Sequence, residues 1–357
     1  MPLTQTTKLP YPTRLEAPWR ITFDTNPDDC NLHCIMCEEH SYYHQKNPVR
    51  LLSKKNRRRM KIKMILRVIE ECVPYGLREI IPSTMGEPLL YKHFPEIINI
   101  CIDYNVRLNL TTNGTFPGLD AIKWAELIVP VTSDVKFSWN GVSKEVQENV
   151  MIGTRLEHRF EKLKTFLNVR DKFASKGENY CSVTLQMTFM EINLKEIAKV
   201  VELAIGLGVD RVKGHHLWVH FDEIKDQCLR RSPDSIKRWN TVVRECHSIA
   251  KANPLPSGKY IGLENFNELD PHNREELHPD AICKFLGKEA WINYKGRFDP
   301  CCAPNNLRKN LGYFGNVKEG GFLKIWRSDV YETLCHHYLE NRLCRRCNMR
   351  VLPRFCK

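Results

Sequence analysis

The 357-residue chain lacks the features that would carry it into or across a membrane. Nowhere do about 18 apolar residues run together, as a spanning helix needs. The opening MPLTQTTKLPYPTRLEAPWR has no apolar core behind a basic flank, so a secretory leader is not supported. Gly/Ser-rich and other low-complexity tracts are also missing, which removes the compositional basis for a disordered chain. With 42% apolar and 27% charged residues the composition is that of a folded protein, and a cytoplasmic location is expected. The length exceeds what one core usually organises, so a large domain with a smaller appended one is the expectation. Fifteen cysteines in a reducing compartment point to metal binding or catalysis rather than to a disulfide framework.

Apolar strands alternate with amphipathic helices along the chain. WRITFDTN (19–26), REIIPS (78–83), VRLNLTTNG (106–114), TSDVKFSWNG (132–141), YCSVTLQMTFM (180–190) and DRVKGHHLWVH (210–220) read as six strands with helical segments between them. That order implies a parallel α/β sheet, curved or closed, with its active site at the carboxyl ends of the strands. From 221 to 282 the pattern is irregular, with one helical stretch at 235–253, and from 283 to 357 cysteines become dense again. Three parts are therefore expected: 1–220, a bridge at 221–282, and a C-terminal module at 283–357.

A fourth cysteine is missing where it would matter most. DDCNLHCIMCEEH (28–40) sets Cys30, Cys34 and Cys37 within eight residues, flanked by acidic pairs, with no further thiol nearby. Structural zinc wants four ligands. Three thiolates suit a [4Fe–4S] cluster with one iron lacking a cysteine, while a zinc site or three unrelated core cysteines are the plain alternatives. The Cys-x3-Cys-x2-Cys spacing, with apolar Met36 before Cys37, resembles the radical S-adenosylmethionine (radical SAM) enzymes. The resemblance implies a partial (β/α)6 TIM-like barrel in which the open iron binds S-adenosylmethionine (SAM) and an electron from the cluster cleaves it to a 5′-deoxyadenosyl radical. It also implies that STMGEP (83–88) is the SAM-contacting turn. Gly86, Glu87 and Pro88 stand as in the family, whereas Met85 replaces a usual glycine. Thr112 and Asn113 after strand three, and Ser138 and Asn140 after strand four, match positions around the ribose and methionine carboxylate; ordinary turn chemistry is the alternative. Gln186, Lys213, His215 and His216 place polar groups on strands five and six, some of which must face inward and meet a ligand or one another.

In the C-terminal module, Cys283, Gly296 and Cys301 resemble the opening of the family's auxiliary-cluster domains, SPASM and its shorter twitch form. Cys344 and Cys347 would complete one auxiliary [4Fe–4S] cluster. A four-cysteine zinc ribbon is the alternative. Cys302, Cys335 and Cys356 are left over and could substitute as ligands. Resemblance to radical SAM dehydrogenases of aminocyclitols implies that the second cluster takes an electron from the substrate radical, giving an oxidised product. Epimerisation would instead need a hydrogen donor, for which Cys302, Cys335 and Cys228 are candidates.

The net charge of +12 concentrates in RLLSKKNRRRMKIK (50–63) and in the closing stretch 340–357. It suits docking of an acidic flavodoxin- or ferredoxin-type electron donor, or simply a solvated face. A nucleic-acid partner would need a recognised module or aromatic platform, and the sequence offers neither. The leading expectation is an oxidoreductase or epimerase acting on a polar small molecule such as an aminocyclitol or sugar. A maturase for a ribosomally made peptide is second, and a non-enzymatic iron–sulfur or zinc scaffold third.

Overall fold

A computed structural model describes residues 13–44, 57–272, 281–347 and 349–351. Strands and helices alternate as β1 (Arg20–Phe23), α1 (Ile62–Cys72), β2 (Glu79–Ile81), α2 (Phe94–Asp103), β3 (Arg107–Thr112), α3 (Ala121–Ile128), β4 (Thr132–Ser138), α4 (Lys144–Val150), α5 (Leu156–Ser175), β5 (Ser182–Phe189), α6 (Ile197–Gly206) and β6 (Arg211–His216). β1 to β6 are parallel and adjacent in chain order, the arrangement expected of consecutive βα units. Outward-facing strand residues such as Ile21, Ile80, Leu108, Val135, Val183 and Val212 are fully buried under the helices. The helices bury matching apolar stripes, for example Ile65, Val68, Ile69 and Cys72 of α1.

The stretch read as irregular is more regular than its composition suggests. It holds α7 (Pro233–Ala252), started by Ser232 with a Pro at the first turn, and β7 (Gly262–Glu264), which pairs in parallel with β6. Beyond it lie β8 (Ile282–Cys283), β9 (Glu289–Ile292), β10 (Phe298–Asp299), α8 (Asn305–Arg308), α9 (Phe322–Trp326), α10 (Asp329–His337), α11 (Arg342–Arg345) and β11 (Arg350–Val351). β9 pairs in parallel with the free edge of β1, placing Ala290 beside Ile21, and β10 turns back antiparallel on β9. The result is one nine-stranded sheet, β10-β9-β1-β2-β3-β4-β5-β6-β7, whose two ends are β10 and β7.

The hydrophobic core is continuous across this join: Ile21, Phe23 and Ile69 share it with Phe298, Phe322, Trp326 and Tyr331. Glu71 of α1 accepts the backbone N–H groups of Phe322 and Leu323 at 2.8 and 2.7 Å, capping α9. No described helix is long and apolar enough to cross a membrane.

Candidate active site

The loop from β1 to α1 carries Cys30, Cys34 and Cys37 and is held from three sides. Its backbone N–H groups at His33 and Ile35 donate to Ile152 and Val150 at 2.8 and 3.0 Å, while Leu32 and Ile35 pack with Val150, Met151, Met190 and Leu217. Its acidic flanks are tied to the basic run. Arg57 and Arg59 pair with Asp29 at 2.8 and 2.6 Å, and Arg58 bridges Asp28 and Glu39 at 2.5 and 2.7 Å. The three arginines that looked like a docking face therefore bind the acids around the cysteines; residues 50–56 lie outside the described residues.

The Gly86-Glu87-Pro88 turn lies against the same loop. Glu87 donates its N–H to Asp29 at 2.7 Å, and the side chain of Asn26 donates to the Glu87 carbonyl at 2.9 Å. A Cβ on Gly86 would stand 2.4 Å from the Asn26 carbonyl oxygen and 2.7 Å from that of Asp29, and its φ is +78°, so only glycine fits. The fully buried Glu87 carboxylate accepts from the Thr112 hydroxyl at 2.7 Å, the Asn113 N–H at 2.7 Å and the Leu89 N–H at 3.3 Å. Burial raises its pKa to about 7 against these donors. Asn113 in turn reaches Asn31 at 2.8 Å. Gly86, Glu87 and Asn113 thus brace the cysteine loop, with Thr112 tied in through Glu87, and the neighbouring Ser83, Thr84 and Met85 line the cavity.

That cavity, of about 880 Å³, opens inside the sheet. Cys34, Met36 and Cys37 face it, as do Ser138, Asn140, Gln186, Lys213 and His215. Asn140 Oδ1 accepts the Thr188 N–H at 2.9 Å. Burial and the neighbouring Lys213 pull His215 down to about 4, so it is neutral at pH 7, with Nε2 3.3 Å from the Thr188 hydroxyl. His216 faces the other way, packed between Phe189 and Trp239. From the opposite wall Cys283, Cys301, Cys302, Cys344 and Cys347 face the same space, with Cys302 the exposed one. Gly296 (φ +92°) forms the β9–β10 turn that delivers Cys301 and Cys302, and a Cβ there would meet Asn316 at 2.7 Å. Two of the three candidate hydrogen donors are elsewhere. Cys335 is buried in the core beside Tyr331, and Cys228 sits before α7, outside the cavity wall. Cys356 lies outside the described residues.

Sequence reasoning missed Arg159. Its signal was helical spacing, since Arg159 shares the buried face of α5 with Leu163, Phe166 and Arg170. It is 2% exposed; it donates to the Ser138 carbonyl and, at 3.2 Å, to the Met151 sulfur, while its Nε has no hydrogen-bond partner. Burial lowers its pKa to about 10 against the pull of Cys34 and Glu87. A buried cation between the cysteine loop and the cavity suits negative charge there.

Each thiol group is gathered closely enough for its members to act on one another, Cys34 with Cys30 and Cys37, and Cys344 with Cys283, Cys301 and Cys347, which fits an iron–sulfur cluster. Burial pushes Cys30 and Cys283 up to about 12 and raises Cys34, Cys37, Cys344 and Cys347, so these sulfurs would be thiolates only beside added positive charge. Among the described residues no three His, Cys, Asp or Glu side chains stand together as a single metal ion needs. The radical SAM superfamily model matches residues 27–204, and the SPASM iron–sulfur cluster-binding domain matches residues 283–348. The chain belongs to the radical SAM superfamily. A [4Fe–4S] cluster with SAM, and auxiliary iron–sulfur binding, come with these two domains.

The chain is similar to GTP 3′,8-cyclase of Clostridium perfringens, strains SM101 and 13, with 28% identity over 259 residues, 67% of this chain and 68% of each relative. In fold it is similar to SuiB of Streptococcus suis bound to precursor peptide SuiA (TM-score 0.63, 17% identity, 90% of this chain and 67% of that one). It is also similar to native anSMEcpe with bound AdoMet (TM-score 0.61, 13% identity, 88% and 82%).

Proposed function

We propose that this radical SAM enzyme abstracts a hydrogen atom from a polar small molecule held in the cavity and oxidises it. The observation that carries this reading is that one cavity of about 880 Å³ is walled on one side by Cys34 and Cys37 and on the other by Cys283, Cys301, Cys344 and Cys347. A substrate in that space would lie between the two thiol groups. When bound, the cluster at Cys30, Cys34 and Cys37 supplies the electron that cleaves SAM, and one at Cys283, Cys301, Cys344 and Cys347 supplies an acceptor for the substrate's electron.

The chain's own residues do the positioning. Glu87 locks the Thr112–Asn113 turn against the cysteine loop, Asn140 and Gln186 offer amides to the bound molecules, and Arg159 places a buried cation behind Ser138. The net charge of +12 favours an acidic flavodoxin- or ferredoxin-type donor. Epimerisation is the second reading, and Cys302, exposed in the cavity, favours it. A precursor-peptide substrate draws on fold likeness alone.

Anaerobic reconstitution should give about eight iron per chain, and Cys30, Cys34 and Cys37 replaced together by Ala should leave about four and end 5′-deoxyadenosine formation. A triple variant that still makes 5′-deoxyadenosine rejects the assignment. Product formed in D2O separates the two readings: loss of two hydrogens marks oxidation, and one deuterium gained at unchanged composition marks epimerisation.

A further inference from the structure

The inner end of the sheet is charged rather than apolar, and its charges are segregated. On the β1–β2–β9 side Arg20 lies between two carboxylates, 3.0 Å from Glu79 and 2.6 Å from Glu289. On the β4–β6–β7 side the balance is reversed. Glu264 alone receives Lys213 at 2.8 Å, Arg211 at 3.4 Å and Lys284 at 3.7 Å. Asp134 receives Lys136 at 3.1 Å and Arg211 at 3.8 Å. Four cations therefore share these two carboxylates as ion-pair partners, with Lys284 also under the pull of Glu289, and all six side chains face the cavity.

Four of these five contacts exceed the length of a good charge-assisted hydrogen bond, and the three longest, at 3.4, 3.7 and 3.8 Å, are those of Arg211 and Lys284, which are only loosely engaged. The four cations carry far more N–H donors than two carboxylates have lone pairs to meet. The crowding shows in the electrostatics: burial holds Lys136 below the ordinary lysine range, with Lys213 and Arg20 adding to the effect. Burial would raise Glu264, yet Lys213, Lys284 and Arg211 together pull it down to about 2. Positive charge held in excess on a partly buried cavity wall, with Lys136 and Asp134 buried and Arg211, Lys213 and Lys284 half-buried, is an arrangement that a bound anion relieves.

We propose that Lys136, Arg211, Lys213 and Lys284 form a subsite for an oxyanion, carboxylate or phosphate, carried by the substrate. This rests on the reading of the cavity as the substrate chamber and narrows that substrate to an anionic one. It also gives Lys213 a role on the substrate rather than on SAM. Lys284 lies next to Cys283, so the subsite anchors the substrate against the auxiliary wall, and the C-terminal module contributes a recognition residue as well as thiols.

The test is calorimetric titration of anaerobically reconstituted holoenzyme with inorganic pyrophosphate and, separately, with malonate. At least one should bind once per chain, more weakly as NaCl rises from about 0.05 to about 0.5 M. Lys284→Gln and Arg211→Gln should each weaken binding at least tenfold, whereas Lys251→Gln on the exposed face of α7 should not. Should one wall variant fail to fold, the other and the salt dependence decide. Binding of pyrophosphate alone assigns a phosphate-bearing substrate, and binding of malonate alone a carboxylate. No binding of either, or binding indifferent to both wall variants, overturns the subsite. Titration of the same preparation with SAM keeps the readings apart: SAM binding without oxyanion binding removes only the subsite, while failure to bind SAM removes the radical reading.

Discussion

Single atoms decide much of this site. At Gly86 a methyl group would press on two carbonyl oxygens of the cysteine loop, and left-handed backbone costs a non-glycine residue about 1–3 kcal/mol before any clash. Gly86→Ala should therefore lower the thermal midpoint and halve iron content by emptying the three-cysteine site; unchanged iron and melting would show that the contact is not needed. His216 tests a different term. Burial among Phe189, Trp239 and neighbours pulls its pKa to about 3, so it folds neutral, and its Nδ1 has no hydrogen-bond partner. Because the folded value is depressed, His216 leaves stability intact above the unfolded pKa near 6.5 and subtracts from it as pH falls below that value. One unit below, the loss is about 1.4 kcal/mol. His216→Phe should thus gain about that much over wild type in denaturant unfolding at pH 5.5 relative to pH 7.5. A pH-independent difference would show that His216 does not titrate as its burial requires.

At the scale of elements, the cysteine loop is rigid because separate stretches hold it. Arg58 is the central tie, and its removal leaves Asp28, whose side chain is fully buried, without its cation. Losing one partner of a buried pair costs about 3–5 kcal/mol, and the partial exposure of Arg58 reduces this to about 2 kcal/mol. Arg58→Ala should show this as a shift in unfolding midpoint, with faster iron loss from the three-cysteine site than from the auxiliary one under chelator. Equal loss rates would deny the loop its staple. The sequence displays the charge of Arg57, Arg58 and Arg59 but not their partners, which is why the run reads as an exposed face. β1 to β6 and the two iron–sulfur domains were legible because each strand is a compact apolar run closed by a turn, and because thiol spacing survives without knowledge of the fold. β9 and β10 were not: EAWI and FD are too short to show a period, and β9 finds its partner β1 more than 260 residues away. Arg159 was hidden for a related reason, since a basic residue in a helix rich in Lys and Arg shows its burial only through its spacing from Leu163 and Phe166.

For the whole molecule, the pairing of β9 with β1 makes the C-terminal module part of the main sheet. Ile21 and Phe23, both fully buried, lie on the strand that β9 covers, and the core they belong to continues into Phe298, Trp326 and Tyr331. Further ties cross the same join: Trp326 Nε1 donates to the Leu15 carbonyl at 2.8 Å, and Arg14 pairs with Glu332 at 2.7 Å. A chain ending at residue 282 would expose the β1 edge as an unpaired apolar strand, a template for association with other chains. It would also uncover α1, whose Glu71 caps α9. The expected outcome is that 1–282 does not fold as a stable monomer: it should aggregate on size exclusion and lack a cooperative thermal transition, while full-length protein with Cys283, Cys301, Cys344 and Cys347 changed to Ser still folds. That contrast separates loss of β9 from loss of the auxiliary thiols. A monomeric 1–282 fragment with a cooperative melt would show that the two parts are joined by contact alone, and that the sheet is complete without its last two strands.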